Sequence, residues 1–246
     1  GDINYLNNYV TINEVKINNN ILKGKYSVEK NSYDATLYLI EENIGRYYGD
    51  TSLKYRVIGT AKLKGEGKAL TLGLKSTIDK IYLMGNKLPN IYIDTEYRAE
   101  NLNDGLLKIK EITLSNSSLE NLFSIVGEFD VVNSNLNMRI DNQKLPLKYL
   151  KEYIPLDDLS GDLLLNGDFG GKLDSLNYNL SITSDTIGIK NVLFNKFRIF
   201  LNGDLKKVVL NEFSFKYLDN LFYSNGEYDI VNSRYGYNAQ ARDINF

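Results

Sequence analysis

The chain has 246 residues, 29 of them basic and 31 acidic for a net charge of −2, and its 43% hydrophobic content suits one or two compact domains. It contains no Cys and no His, which removes Cys-ligated zinc and the His- and Cys-based dyads of most nucleophilic catalysis, while Tyr reaches 19. Charges are interspersed, with Lys206-Lys207 the only adjacent basic pair, so no nucleic-acid partner is expected; no apolar run nears the roughly 20 residues that span a bilayer as a helix.

The opening GDINYLNNYV lacks a basic segment followed by an apolar one, so no signal peptide is expected. Glu41 to Tyr48 is a weak helix candidate. From there the chain reads at period two. Leu53, Tyr55, Val57, Gly59, Ala61 and Leu63 predict one strand, and Leu70, Leu72, Leu74 and Ile78 the next. Ile91, Ile93 and Tyr97, then Leu107, Ile109, Ile112 and Leu114, supply two more. PLKYLKEY, from Pro146 to Tyr153, is the best helix, with Pro146 able to take the first helical position and Pro155 to stop it.

After it the alternation is clean. Leu159, Gly161, Leu163, Leu165, Gly167 and Phe169 share one face of a strand, with Leu164 the single break. Following a predicted turn at Gly170-Gly171-Lys172, Leu176, Tyr178, Leu180 and Ile182 repeat the pattern. It continues through Phe197, Ile199 and Leu201, then Phe213, Phe215 and Tyr217, then Tyr228 and Ile230, then Tyr235, Tyr237, Ala239 and Ala241. Turns are predicted at Asn202-Gly203-Asp204, around Asn225-Gly226 and at Asn232-Ser233, because Gly and Asn tolerate positive φ. One-sided alternation of this kind predicts an all-β fold with an antiparallel sheet covered on a single face.

The text also repeats. LENLFSIVGEFDVVNS, beginning at Leu119, returns 99 residues later as LDNLFYSNGEYDIVNS, beginning at Leu218, with 10 of the 16 positions identical. GTAKLKGEG (Gly59 to Gly67) returns as GDLLLNGDF (Gly161 to Phe169), and a fainter trace lies at Gly24-Lys25-Tyr26-Ser27-Val28. The expected organisation is a partial unit over about residues 1–44 and two units over about 45–145 and 146–246, each of five or six strands and a short crossover, stacked as one elongated segment.

No active site emerges. Asp157, Asp158 and Asp162 lack the every-second-residue spacing of a calcium loop. GEG at Gly65 and GDFGG at Gly167 lack the following helix with Lys-Ser/Thr of a phosphate loop, and both read as hairpin turns. No cofactor and no enzymatic activity are expected. The apolar face is the informative feature, and its pattern suits equally a dry core and a lipid-lined groove.

LPLKYLKEYIPLDDLSGDLLLNGDFGGKLDSLNYNLSI, from Leu145 to Ile182, resembles the repeating text of the TamB and AsmA-like family. There a short helix is followed by a strand of the form L-x-G-x-L-x-L-x-G, a Gly-rich turn and a strand introduced by L-D-x-L. The matching positions are Leu159, Gly161, Leu163, Leu165, Gly167, Gly171, Leu173, Asp174 and Leu176. The resemblance implies a long sheet curled into an open trough with an apolar interior, a periplasmic location, and passage of phospholipid acyl chains between the inner and outer membranes, with a link to outer-membrane protein assembly. It further implies an inner-membrane anchor and an Omp85-type outer-membrane barrel as partner, both through regions outside this stretch. The groove lining expected on this basis is Leu163, Leu165, Phe169, Tyr178, Leu180, Ile182, Phe197, Ile199, Leu201, Phe213, Phe215, Tyr228 and Ile230, with Leu70, Leu72, Leu74, Ile91 and Ile93. Other readings of the same alternation are a surface adhesin resembling an autotransporter passenger, which would need a coil period of about 20 to 30 residues, and a piece of a transmembrane barrel.

Overall fold

In the computed structural model residues 1–42, 53–83, 86–101, 104–118, 120–153 and 158–242 are described. The fold is all-β, an antiparallel sheet that does not close into a barrel. Two compact units share the chain, Gly1–Leu119 with Val126–Ser134, and Glu120–Ile125 with Asn135–Phe246.

In the first unit the strands are β1 (Asp2–Leu6), β2 (Tyr9–Ile17), β3 (Asn20–Ser27), β4 (Ser32–Glu42), β5 (Leu53–Glu66), β6 (Ala69–Leu83), the two-residue β7 (Asn86–Lys87), β8 (Asn90–Ala99) and β9 (Leu106–Ser115). They form a meander in which each long strand hydrogen-bonds its neighbours in sequence. Strand β10 (Asn121–Asp130) contributes to both units. The second unit continues as a meander of β11 (Asn135–Pro146), β12 (Leu159–Lys172), β13 (Asn177–Ile189), β14 (Val192–Asp204), β15 (Lys207–Tyr217), β16 (Asn220–Asp229) and β17 (Arg234–Arg242).

Helix is confined, among the described residues, to one 3₁₀ turn, Leu147–Glu152, between β11 and β12. Pro146 caps it rather than opening it, and Pro146 also ends β11 opposite Asp162. Pro155 and the remainder of the predicted helix stop lie outside the described residues, as does most of Glu41 to Tyr48, whose first two residues end β4.

Three expected turns are strand instead. Gly170 and Gly171 lie inside β12, Gly203 inside β14 and Asn225-Gly226 inside β16; the chain reverses at Leu173–Ser175, at Leu205-Lys206 and after Asp229. A glycine in a strand marks close approach rather than reversal. At Gly203 a Cβ would meet the Lys207 carbonyl oxygen and stand 2.8 Å from the Tyr178 hydroxyl oxygen. The Tyr178 ring lies over that glycine, its register partner, and Tyr33 lies likewise over Gly65.

The repeat survives at the level of single hydrogen bonds. Asp229 Oδ1 accepts from the Asn232 amide at 2.9 Å, and 99 residues earlier Asp130 Oδ1 accepts from the Asn133 amide at 3.1 Å. In the partial unit Ser27 Oγ accepts from the Lys30 amide at 3.3 Å. Each turn then passes through a left-handed residue: Asn31, Ser134 and Ser233 have φ of 46°, 51° and 52°. In each, the first turn residue also donates its amide back to the preceding hairpin connection, Val28 to Asn8, Val131 to Gly105 and Ile230 to Lys206. Strand pairs β3/β4, β10/β11 and β16/β17 are therefore equivalent, and β5 and β12 open the next unit after the first two of them.

Candidate functional site

Opposed residues of an antiparallel pair share a face, so the registers trace rows of side chains running across the strands. In the second unit one row is Met138, Phe169, Tyr178, Gly203, Val208, Tyr228 and Tyr235. The next is Ile140, Gly167, Leu180, Leu201, Leu210, Gly226 and Tyr237, and a third is Gln143, Leu165, Ile182, Ile199, Phe213, Ser224 and Ala239. No Asp, Glu, Lys or Arg stands in these rows. The first unit has the same construction, for example Ile12, Gly24, Ala35, Leu63, Leu72, Tyr97 and Leu107.

The charged side chains occupy the opposite face. There Lys64 pairs with Asp34 at 2.8 Å, Lys75 with Asp94 at 2.9 Å, and Lys207 with Glu227 at 2.6 Å. The hydrogen bonds to these carboxylates raise the pKa of Lys75 and of Lys207 above the ordinary lysine range. Exposed pairs of this kind add little stability, and their effect is to keep that face wet.

Aromatic rings fill the apolar face around β14 to β16. Phe197 meets Phe213 edge-on at 5.8 Å between centroids, Phe194 meets Phe215 edge-on at 5.2 Å, and Phe215 stacks on Phe222 at 5.0 Å. Burial raises the pKa of the Tyr178 hydroxyl, with a further push from Asp204.

Most of this face is half-buried. The exception lies beside the 3₁₀ turn, where Leu147 packs with Leu159 and Ile187, and against Leu163, Ile189 and Phe197. Bulges shift the register between Ile140 and Gln143, Gly161 and Leu164, and Leu210 and Phe213, and each increases local twist.

Of the expected lining, Leu163, Leu165, Phe169, Tyr178, Leu180, Ile182, Phe197, Ile199, Leu201, Phe213, Phe215 and Tyr228 lie on this one face of the second unit. Leu70, Leu72, Leu74, Ile91 and Ile93 lie on the corresponding face of the first. Ile230 falls in the turn after β16 and is exposed. Met138, Ile140, Leu145, Phe194, Val208, Leu210 and Phe222 belong to the face without having been expected there. Bulges hid several of them: Val208-Val209-Leu210 reads as a run because the register shift before Phe213 inverts the alternation.

Compared with family models, with curated proteins and with solved structures, the chain matches none.

Proposed function

We propose that the apolar face binds the acyl chains of lipid, and that the protein is a segment of a TamB- or AsmA-like conduit carrying phospholipid across the periplasm between the inner and outer membranes. One observation carries the reading: rows free of Asp, Glu, Lys and Arg run unbroken from β11 to β17 on a face that stays mostly half-buried. An acyl chain leaving a bilayer loses about 0.8 kcal/mol per exposed CH₂, so a gap wetting about five methylenes would cost about 4 kcal/mol. Rows perpendicular to the strands supply an apolar path that each added strand lengthens, while a head group stays in water. No catalytic step is involved. The Omp85-type barrel and the inner-membrane anchor belong to the same proposal and would act through regions beyond these residues.

The competing reading is a surface protein whose apolar face is a dry core. Half-burial favours the groove, since no large side chain among the described residues is fully buried. The deciding measurement is native mass spectrometry of the protein isolated from its own compartment. Co-purified phospholipid is the expected result; protein consistently free of lipid and detergent, with unchanged stability when lipid is added, would overturn it.

A further inference from the structure

We propose that a cleft on the polar face of the second unit binds a phosphate ester with an apolar body. The starting point is Leu164, the single break in the alternation of β12. Registers place it in an outer row of Lys144, Leu164, Thr183, Arg198 and Ser214, and the neighbouring outer row of Asn166, Ser181, Phe200 and Glu212 holds a second large apolar side chain. Leu164 is 39% exposed and Phe200 half-buried, on a face given mostly to charged and polar groups. Register shifts fall beside both, between Gly161 and Leu164 of β12 and between Asn195 and Arg198 of β14. Bulges re-aim side chains and recur next to functional sites. The one in β14 passes through Lys196, whose φ of 52° is left-handed. What results is a cleft of about 820 Å³ lined by Lys144, Leu164, Thr183, Lys196, Arg198 and Phe200, a volume in the range of small-molecule sites.

The charges here differ from those elsewhere on the polar face. Lys64, Lys75 and Lys207 each have a carboxylate on the adjacent strand. Arg198 instead faces Thr183 on one side and Ser214 on the other, and the nearby Glu212 carboxylate accepts from the Ser214 hydroxyl. Among the described residues Lys196 and Arg198 make no ion pair. Two carboxylates also line the cleft. Lys144 holds Asp162 at 2.8 Å, which leaves Asp185 alone against the two remaining cations. The hydroxyls of Ser184 and Thr186 are committed, to the Thr186 carbonyl at 3.1 Å and to Asn195 Oδ1 at 3.0 Å, whereas that of Thr183 is not. A guanidinium, an ammonium and a hydroxyl around one opening suit the several oxygens of a phosphate, the guanidinium through its paired N–H groups. Leu164 and Phe200 add an apolar contact that inorganic phosphate cannot use. The site stands on the face opposite the groove and does not depend on the conduit reading.

The test is isothermal titration calorimetry of the whole chain with 1-naphthyl phosphate. Saturable binding is expected, with inorganic phosphate and 1-naphthol each at least tenfold weaker. Arg198→Gln and Leu164→Asn should each weaken 1-naphthyl phosphate at least fivefold, and Lys64→Gln, which removes a paired cation of the first unit, less than twofold. All three positions are exposed, and circular dichroism checks that the sheet is kept. Leu180→Arg, which charges the apolar face, should change the affinity less than twofold. Binding that Leu180→Arg abolishes and Arg198→Gln leaves intact would assign the ligand to the groove and overturn the proposal. Equal affinity for 1-naphthol, or no binding of 1-naphthyl phosphate, would overturn it as well. Competition by phosphatidylcholine vesicles containing phosphatidic acid would identify the bound group as a lipid head group, and a lack of competition as a soluble ester; both results support the site.

Discussion

At the scale of single residues, glycine is where the chain departs most from a simple reading. The rows contain glycines because neighbouring backbone and aromatic rings need the space, and this distinguishes one glycine from another. Gly203→Ala should cost about 1–3 kcal/mol, since its Cβ would press on Tyr178 and the Lys207 carbonyl. Gly73, in a strand whose Cβ direction meets nothing within 4 Å, should accept Ala with a gain of about 0.5 kcal/mol. Urea unfolding of the two variants checks both. The repeated turns give a pH prediction. The Asn232 side chain, and then its backbone amide, hold the Asp229 carboxyl below the ordinary carboxylate range, and Asn133 does the same for Asp130. A depressed folded pKa stabilises above the unfolded value and loses that contribution as pH falls through the folded one. Asp229→Asn should therefore lower the melting temperature at pH 7, and the gap to the parent protein should narrow below about pH 4. A gap that stays constant from pH 7 to pH 3 would count against this account of the turn.

Elements were legible where alternation was uninterrupted. Leu159 to Phe169 and Tyr178 to Ile182 take the faces their spacing predicts, with Leu164 on the outer face as the break implied. Strand β11 was hidden because the bulge at Asp141 and Asn142, the latter with φ of 44°, inverts the parity between Ile140 and Gln143. The helix between repeats was expected from Pro146 and its spacing, but it is a 3₁₀ turn of 6 residues. Its role is to lay Leu147, 5% exposed, over Leu159 and Ile187 and so cover the apolar face at one place. Leu147→Ala should destabilise by about 2–3 kcal/mol, the lower part of the range for buried leucines, because an open sheet can relax around the gap. Thermal unfolding of the variant measures it, and a loss under about 0.5 kcal/mol would mean that the turn does not anchor the sheet.

For the molecule as a whole, lipid binding is the property at issue, and it can be separated from folding by comparing two faces of one strand. Leu180 stands in the central apolar row, while Asn179 faces the polar side and bonds Asp168 at 2.9 Å. Leu180→Arg should abolish lipid recovery and Asn179→Arg should leave it intact, with β-sheet circular dichroism preserved in both. Equal lipid recovery from the two would remove the groove reading. The sequence by itself determined the all-β class, the apolar and polar faces and the repeat, because strand periodicity and turn chemistry are local and need no knowledge of which strands meet. Tertiary structure alone decided where parity inverts, which glycines lie beneath aromatic rings, and that most of the apolar face stays half-buried in the second unit. Those depend on register and on what packs against what, and a bulge of one residue changes both without leaving a mark that spacing can reveal.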